Sequence, residues 1–254
     1  MKTAIILSGG GCDCAYGGGF MTALGRDFNF QPELIVAGSG SAGTAAYYCA
    51  KEYDEIERAW TIHLASPRFV NKLRFHKIMD IDYLIDFIFK KKEPLNVETI
   101  RGSKTRLIIA ATRKRDGEVT FFDDWKRFDI FEVLRATKSM PYVYNKNVNI
   151  EGEFYRDSMR SSGIRLLEDH ISLDAYDAVI IVRNGVSTWV QKLFGAREMY
   201  LPKHNNLIVI QNNTKLGFSM INNSKPFLKK QFDKGYAACL AMTETIAQLE
   251  KEQR

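Results

Sequence analysis

The run Leu34-Ile35-Val36-Ala37-Gly38-Ser39-Gly40-Ser41-Ala42-Gly43-Thr44-Ala45-Ala46-Tyr47-Tyr48 decides how this chain is read. An apolar stretch gives way, across a cluster of small residues, to a segment that reads as a buried helix, so a strand turns sharply into a helix. A side chain at such a turn sits at the first helical turn, where unpaired backbone N–H groups and the helix dipole favour negative charge. Small flanking residues let the backbone take the strained angles that push a hydroxyl outward. Ser41 is therefore the expected nucleophile of an elbow of the Gly-x-Ser-x-Gly kind, with Ser39 standing where that pattern has its first glycine.

The same run also matches the dinucleotide fingerprint Gly38-x-Gly40-x-x-Gly43. That site needs a second strand ending in an acidic residue about 20 positions on. Here the region is Lys51-Glu52-Tyr53-Asp54-Glu55-Ile56-Glu57-Arg58, which reads as charged helix surface. A glycine-rich turn without chemistry is the remaining alternative, so Ser41 needs support elsewhere.

Two segments give it. Thr3-Ala4-Ile5-Ile6-Leu7 reads as a buried strand opening onto Ser8-Gly9-Gly10-Gly11-Cys12-Asp13-Cys14. Three glycines expose their N–H groups without side-chain cover, and amides converging beside a serine suit the oxyanion of acyl transfer. No Gly-Lys-Ser or Gly-Lys-Thr follows, which argues against a phosphate loop. Farther on, Met140-Pro141-Tyr142-Val143-Tyr144 precedes the stretch from Val148 to Ser158, whose hairpin-like alternation delivers Asp157 to a loop.

In this order of glycine triplet, elbow serine and loop aspartate, the chain resembles the patatin-like acyl hydrolases from Ala4 through Gly163. The resemblance implies that Gly9, Gly10 and Gly11 form the oxyanion loop, that Ser41 is the nucleophile and that Asp157 is its partner, with no histidine required. Gly19, Leu24 and Pro141 also match the family. Departures occur at Asp13 and Cys14, where the family has a basic residue and a glycine, at Ser39, and at Ser158-Met159, where Asp157 would be followed by two glycines. The substrate implied is a lipid or other fatty-acyl ester, and the competing class is an inactive relative that binds lipid or a partner.

The chain has 254 residues, 45% of them hydrophobic, with no linker, repeat or low-complexity tract. A single domain over residues 1–254 is expected. Strands at Ala4–Ser8, Leu34–Gly38, Arg106–Thr112, Val119–Phe122, Ala178–Val182 and Leu207–Gln211 are expected to alternate with helices over Tyr16–Arg26, Ser41–Leu64, Asp129–Thr137 and Lys225–Lys251. That pattern predicts an α/β fold with a mostly parallel central sheet covered on both faces, and the resemblance implies a three-layer α/β/α sandwich of the patatin-like kind.

Four cysteines in unlike contexts read as reduced thiols of a cytoplasmic protein, and the Cys12-x-Cys14 pair lacks the second pair of a zinc site. No metal or cofactor is expected. A net charge of +6, with clusters at Lys90–Lys92, Arg113–Arg115 and Lys229–Lys230, would attract an anionic membrane surface peripherally, though such runs are ordinarily solvated faces. Nucleic acid is not an expected partner, since no motif for it is present. The segment Arg68–Lys92 mixes aromatic with basic residues. It reads as a helical cap completing the core, the alternative being a lid that receives acyl chains. Trp189–Phe194 permits the same two readings, and His63, His76, His170 and His204 read as surface or packing residues.

Overall fold

Strands β1 (Thr3–Leu7), β2 (Leu34–Gly38), β3 (Arg106–Arg113), β4 (Val119–Phe122), β5 (Val148–Ile150), β6 (Glu153–Arg156), β7 (Ala178–Arg183) and β8 (Leu207–Gln211) make one mixed sheet. The computed structural model describes residues 1–75, 77–141, 143–157, 170–186 and 201–251. Ser158-Met159, His76 and the Trp189–Phe194 segment lie outside the described residues. The centre of the sheet is parallel, in the order β3-β2-β1-β7-β8. Its strands are near-continuous apolar runs because both faces are covered. Along β1, Ile5 and Leu7 enter the larger core with the helices, while Ala4 and Ile6 enter a smaller one with Ile171 and Leu173 on the other face.

The helices are α1 (Ala15–Arg26), α2 (Ser41–Cys49), α3 (Tyr53–Arg58), α4 (Val97–Arg101), α5 (Ile130–Ala136), α6 (Lys225–Leu240) and α7 (Thr243–Lys251). Two expected long helices are divided. Lys51 takes a left-handed φ of 60° and ends α2, and the chain resumes as α3 and a π-helical turn, Ala59–His63. A break at Ala241-Met242 separates α6 from α7. Helices α1 and α6 approach backbone to backbone. A Cβ on Gly19 would stand 1.9 Å from Phe232 O, and one on Gly235 1.8 Å from Tyr16 O, so only glycine permits this seam.

The antiparallel part positions the site. β5 and β6 are joined by Glu151 and Gly152, both at positive φ, the backbone of a two-residue hairpin turn. Thr112 of β3 pairs with Val119 of β4 and also with Arg156 of β6, so β4 and β6 lie on opposite edges of β3. β6 thus continues beyond the end of β2 along one edge, running in the opposite sense. Gly38, the last residue of β2, pairs with Ala110. One further step along each register brings both Ser39 and Asp157 to Ala111, where the two chain ends meet.

Candidate active site

Ser39, the first residue after β2, has φ 52°, a conformation that non-glycine residues rarely adopt. Its N–H donates to Thr137 Oγ1 at 2.8 Å, and that hydroxyl donates to Ala110 O at 2.5 Å. The buried Thr137 therefore buckles the elbow onto β3. The side chain of Ser39 is half-buried and faces the glycine loop, where a Cβ on Gly9 would stand 3.1 Å from Ser39 Cβ and 3.7 Å from its Oγ. Gly40 presses on the same loop. A Cβ there would come within 2.8 Å of both Cys14 Sγ and Gly11 O.

Ser41 occupies the opposite side of the turn. It is 1% exposed, donates its hydroxyl to Ser8 O at 2.7 Å and accepts from Asn184 Nδ2 at 2.9 Å. Asn184 also donates to Ser8 O and accepts from Gly17 N at 2.8 Å, and its own N–H donates to Ser8 Oγ at 2.9 Å. Ser41 and Asn184 thereby clamp the end of β1, the start of α2 and the end of β7 beneath the glycine loop.

A cleft opens at the elbow. Ser39, Gly40, Lys138 and Asp157 line its polar end, and Trp60, Phe69, Met79, Leu84, Phe89 and Val143 are among the apolar residues of its walls. The expected pair is therefore not brought together as the motif implies: Asp157 faces the cleft and Ser41 does not, whereas Ser39 does. Asp157 is 5% exposed, with its N–H held by Ser139 O at 2.9 Å. Of the three glycines, Gly11 lines the cleft, with a left-handed φ of 58°, and a Cβ there would collide with Met220 O at 2.4 Å. No acceptor among the described residues takes the N–H of Gly9 or Gly10.

Asp13 does not reach solvent, and it pairs with no cation among the described residues. It is fully buried, accepts from Ser219 Oγ at 2.7 Å through one oxygen, and leaves the other without a partner. Burial pushes its carboxyl up to about 6, against the lowering effect of the Ser219 bond. All four cysteines are free and buried, and burial raises the Cys14 thiol to about 12, so these thiols are packing groups.

The three described histidines are engaged away from the cleft. His63 meets Glu93 at 2.8 Å, His170 stacks on Phe121, and His204 bonds Tyr176 O at 2.9 Å. In the Arg68–Lys92 segment, Phe69 and Phe89 join the core and line the cleft as well, so the cap and lid expectations meet in the same residues. Its tip differs, with Leu73 and Phe75 88% and 91% exposed. Several of the basic clusters are matched by acids: Arg113 with Asp116 and Glu118, Arg115 with Glu153, Lys229 with Asp233.

Sequence reasoning missed Thr137 and Asn184. Asn184 had a signal, since it follows the apolar run of β7 at the carboxyl end of a parallel sheet, where ligand sites gather.

The sequence profile of the family described as Patatin-like phospholipase matches residues 5–165. A comparison with curated proteins finds no match. Among solved structures, the crystal structure of VipD from Legionella pneumophila is similar over 96% of this chain and 67% of its own, with a TM-score of 0.58 at 11% identity. The crystal structure of the type III effector protein ExoU is matched over 94% of this chain and 53% of its own, with a TM-score of 0.43 at 14% identity. The likeness to VipD concerns the fold. The profile spans the glycine loop, the elbow and Asp157 alike, and on that ground the chain belongs to the patatin-like phospholipase family.

Proposed function

We propose that the chain is a serine acyl hydrolase of lipid esters, with Ser39 as nucleophile and Asp157 as its partner. Backbone N–H groups of Gly9, Gly10, Gly11 and Gly40 serve as the oxyanion hole. The observation that carries the reading is that β2 and β6 end along one edge of β3, with Gly38 opposite Ala110 and Arg156 opposite Thr112, and that the residues next after them, the strained Ser39 and the sheltered Asp157, line one cleft. Ser39 Oγ bonds to the ester carbonyl carbon as Asp157 takes its proton, and the loop amides hold the oxyanion. The bond to the leaving alcohol then breaks, and Asp157 returns the proton to that alcohol. Water, giving its proton to Asp157, attacks the acyl carbon; the bond to Ser39 Oγ then breaks as Asp157 returns that proton to the serine, and the acid is released.

An aspartate with an ordinary pKa of about 3.9 is a weak base. Shelter from water compensates, and it fits a carboxylate that is 5% exposed. The apolar walls favour a long acyl chain, since each buried methylene contributes about 0.8 kcal/mol. A fluorophosphonate probe tests the nucleophile: it should label the wild type and Ser41→Ala but not Ser39→Ala. Labelling of Ser39→Ala but not Ser41→Ala would return the role to Ser41, and an unlabelled wild type would favour the inactive, lipid- or partner-binding class.

The exposed tip between Phe69 and Met79 supports a peripheral contact with a membrane. Leu73 and Phe75 project from a loop that begins and ends at cleft residues, and Phe218, 86% exposed, lies two residues from Met220 in the cleft wall. Replacing Leu73 and Phe75 together by Ser should lower co-sedimentation with phospholipid vesicles severalfold while sparing hydrolysis of a soluble short-chain ester. Undiminished sedimentation would remove the tip from the membrane contact.

A further inference from the structure

Acyl transfer at Ser39 and Asp157 leaves a basic group of the cleft lining unused. Lys138 follows Thr137 directly, is 6% exposed, and lines the same cleft as Ser39 and Asp157. Its side-chain nitrogen is buried and makes no hydrogen bond among the described residues. The other buried cation near the cleft is treated differently: Arg135 engages Asp82, Asp86 and Glu132. Three unused donors shut away from water are costly to fold around, and an apolar side chain of the same length would fill the space without that cost. Burial pushes the Lys138 amine down to about 7, while the neighbouring Cys14 and Asp157 act to raise it.

We propose that Lys138 is the recognition residue for an anionic phosphate oxygen of a phospholipid whose ester lies at Ser39, so that the cleft selects phospholipids over neutral glycerides. The inference rests on the hydrolase reading above and adds the residue that recognises the headgroup phosphate. An incoming phosphate supplies the acceptor the ammonium lacks, inside a site where water competes poorly, and a charged hydrogen bond of that kind is strong.

The test compares binding of a non-hydrolysable dialkyl-ether phosphatidate with that of the dialkyl-ether glycerol of the same chains, both in neutral detergent micelles. Wild type, Lys138→Met and Lys138→Arg are measured, with thermal unfolding as the check on folding. Lys138→Met should weaken phosphatidate binding about tenfold or more, leave the ether glycerol unchanged, and be partly rescued by Lys138→Arg. Equal effects on both ligands, or no effect on either, would overturn the assignment. Displacement of the ether phosphatidate by inorganic phosphate at comparable concentration would make the site one for phosphate itself and overturn the lipid class. Neither ether ligand is hydrolysed, so the two readings fail separately. Discrimination at Lys138 in a protein that turns over no ester would sink the hydrolase reading alone. Ester turnover with no discrimination would sink the Lys138 proposal alone.

Discussion

On the cleft face of the β2–α2 elbow, Ser39 holds a left-handed φ of 52° and a half-buried hydroxyl. On the opposite face Ser41 is 1% exposed, with its hydroxyl bonded to Ser8 O and Asn184. The two serines are separated by one glycine and meet different fates because of where the backbone changes hand. The residue just beyond the strand takes the strained angle and is turned outward. The residue two positions on is already helical and is turned back under β1. Strain gathers where a side chain must be presented, and full hydrogen bonding gathers where the presenting backbone must be held.

The largest expected effect is the split between these serines. Ser39→Ala should lower ester turnover roughly 10³-fold or more with little change in Tm. Ser41→Ala should keep turnover within about tenfold but lose roughly 1–2 kcal/mol of stability, because it strips partners from Ser8 O and Asn184. The reverse pattern in kinetics and thermal unfolding would break the comparison outright.

Asp157→Asn comes next, with an expected loss of about 10²–10⁴ in kcat. Alanine at His63, His170 or His204 should cost little by the same assay. A histidine variant that matches the loss at Asp157 would put a triad in place of the dyad.

The smallest effect belongs to Asp13, buried next to the glycine loop and bonded to Ser219. Its folded-state pKa of about 6 lies above the ordinary value, so the native state holds the proton more tightly than the unfolded chain. The resulting penalty is absent below the ordinary carboxylate range, grows as pH rises toward about 6, and is constant above it. Asp13→Asn removes that titration. Its stability relative to wild type should therefore improve by roughly 1–2 kcal/mol between pH 4 and pH 8, read as Tm against pH. A difference that stays flat with pH would mean that Asp13 is not the buried carboxyl described here.

Much of the fold was legible in the chain. The apolar runs at Leu34–Gly38 and Ala178–Val182 sit in the sheet as expected, because a strand buried on both faces needs little but apolar residues. The long helix expected over Ser41–Leu64 failed at Lys51, whose positive φ no propensity announces. The antiparallel placement of β6 was equally silent, since strand pairing beyond a hairpin is set by register between distant segments.

The sequence by itself determined that a glycine triplet, a small-residue elbow and Asp157 belong to one patatin-like chain, because turns, exposed amides and apolar periodicity are local properties. Which serine of Ser39-Gly40-Ser41 faces the cleft was decided only by the tertiary structure. Both serines have small neighbours, and the choice depends on a two-residue difference in where β2 ends, fixed by the pairing of Gly38 with Ala110 and by the Thr137 hydroxyl that holds Ser39 N–H. The same holds for Lys138. One lysine among many basic residues becomes a buried, unpartnered cation only once α5, the elbow and the end of β6 enclose it.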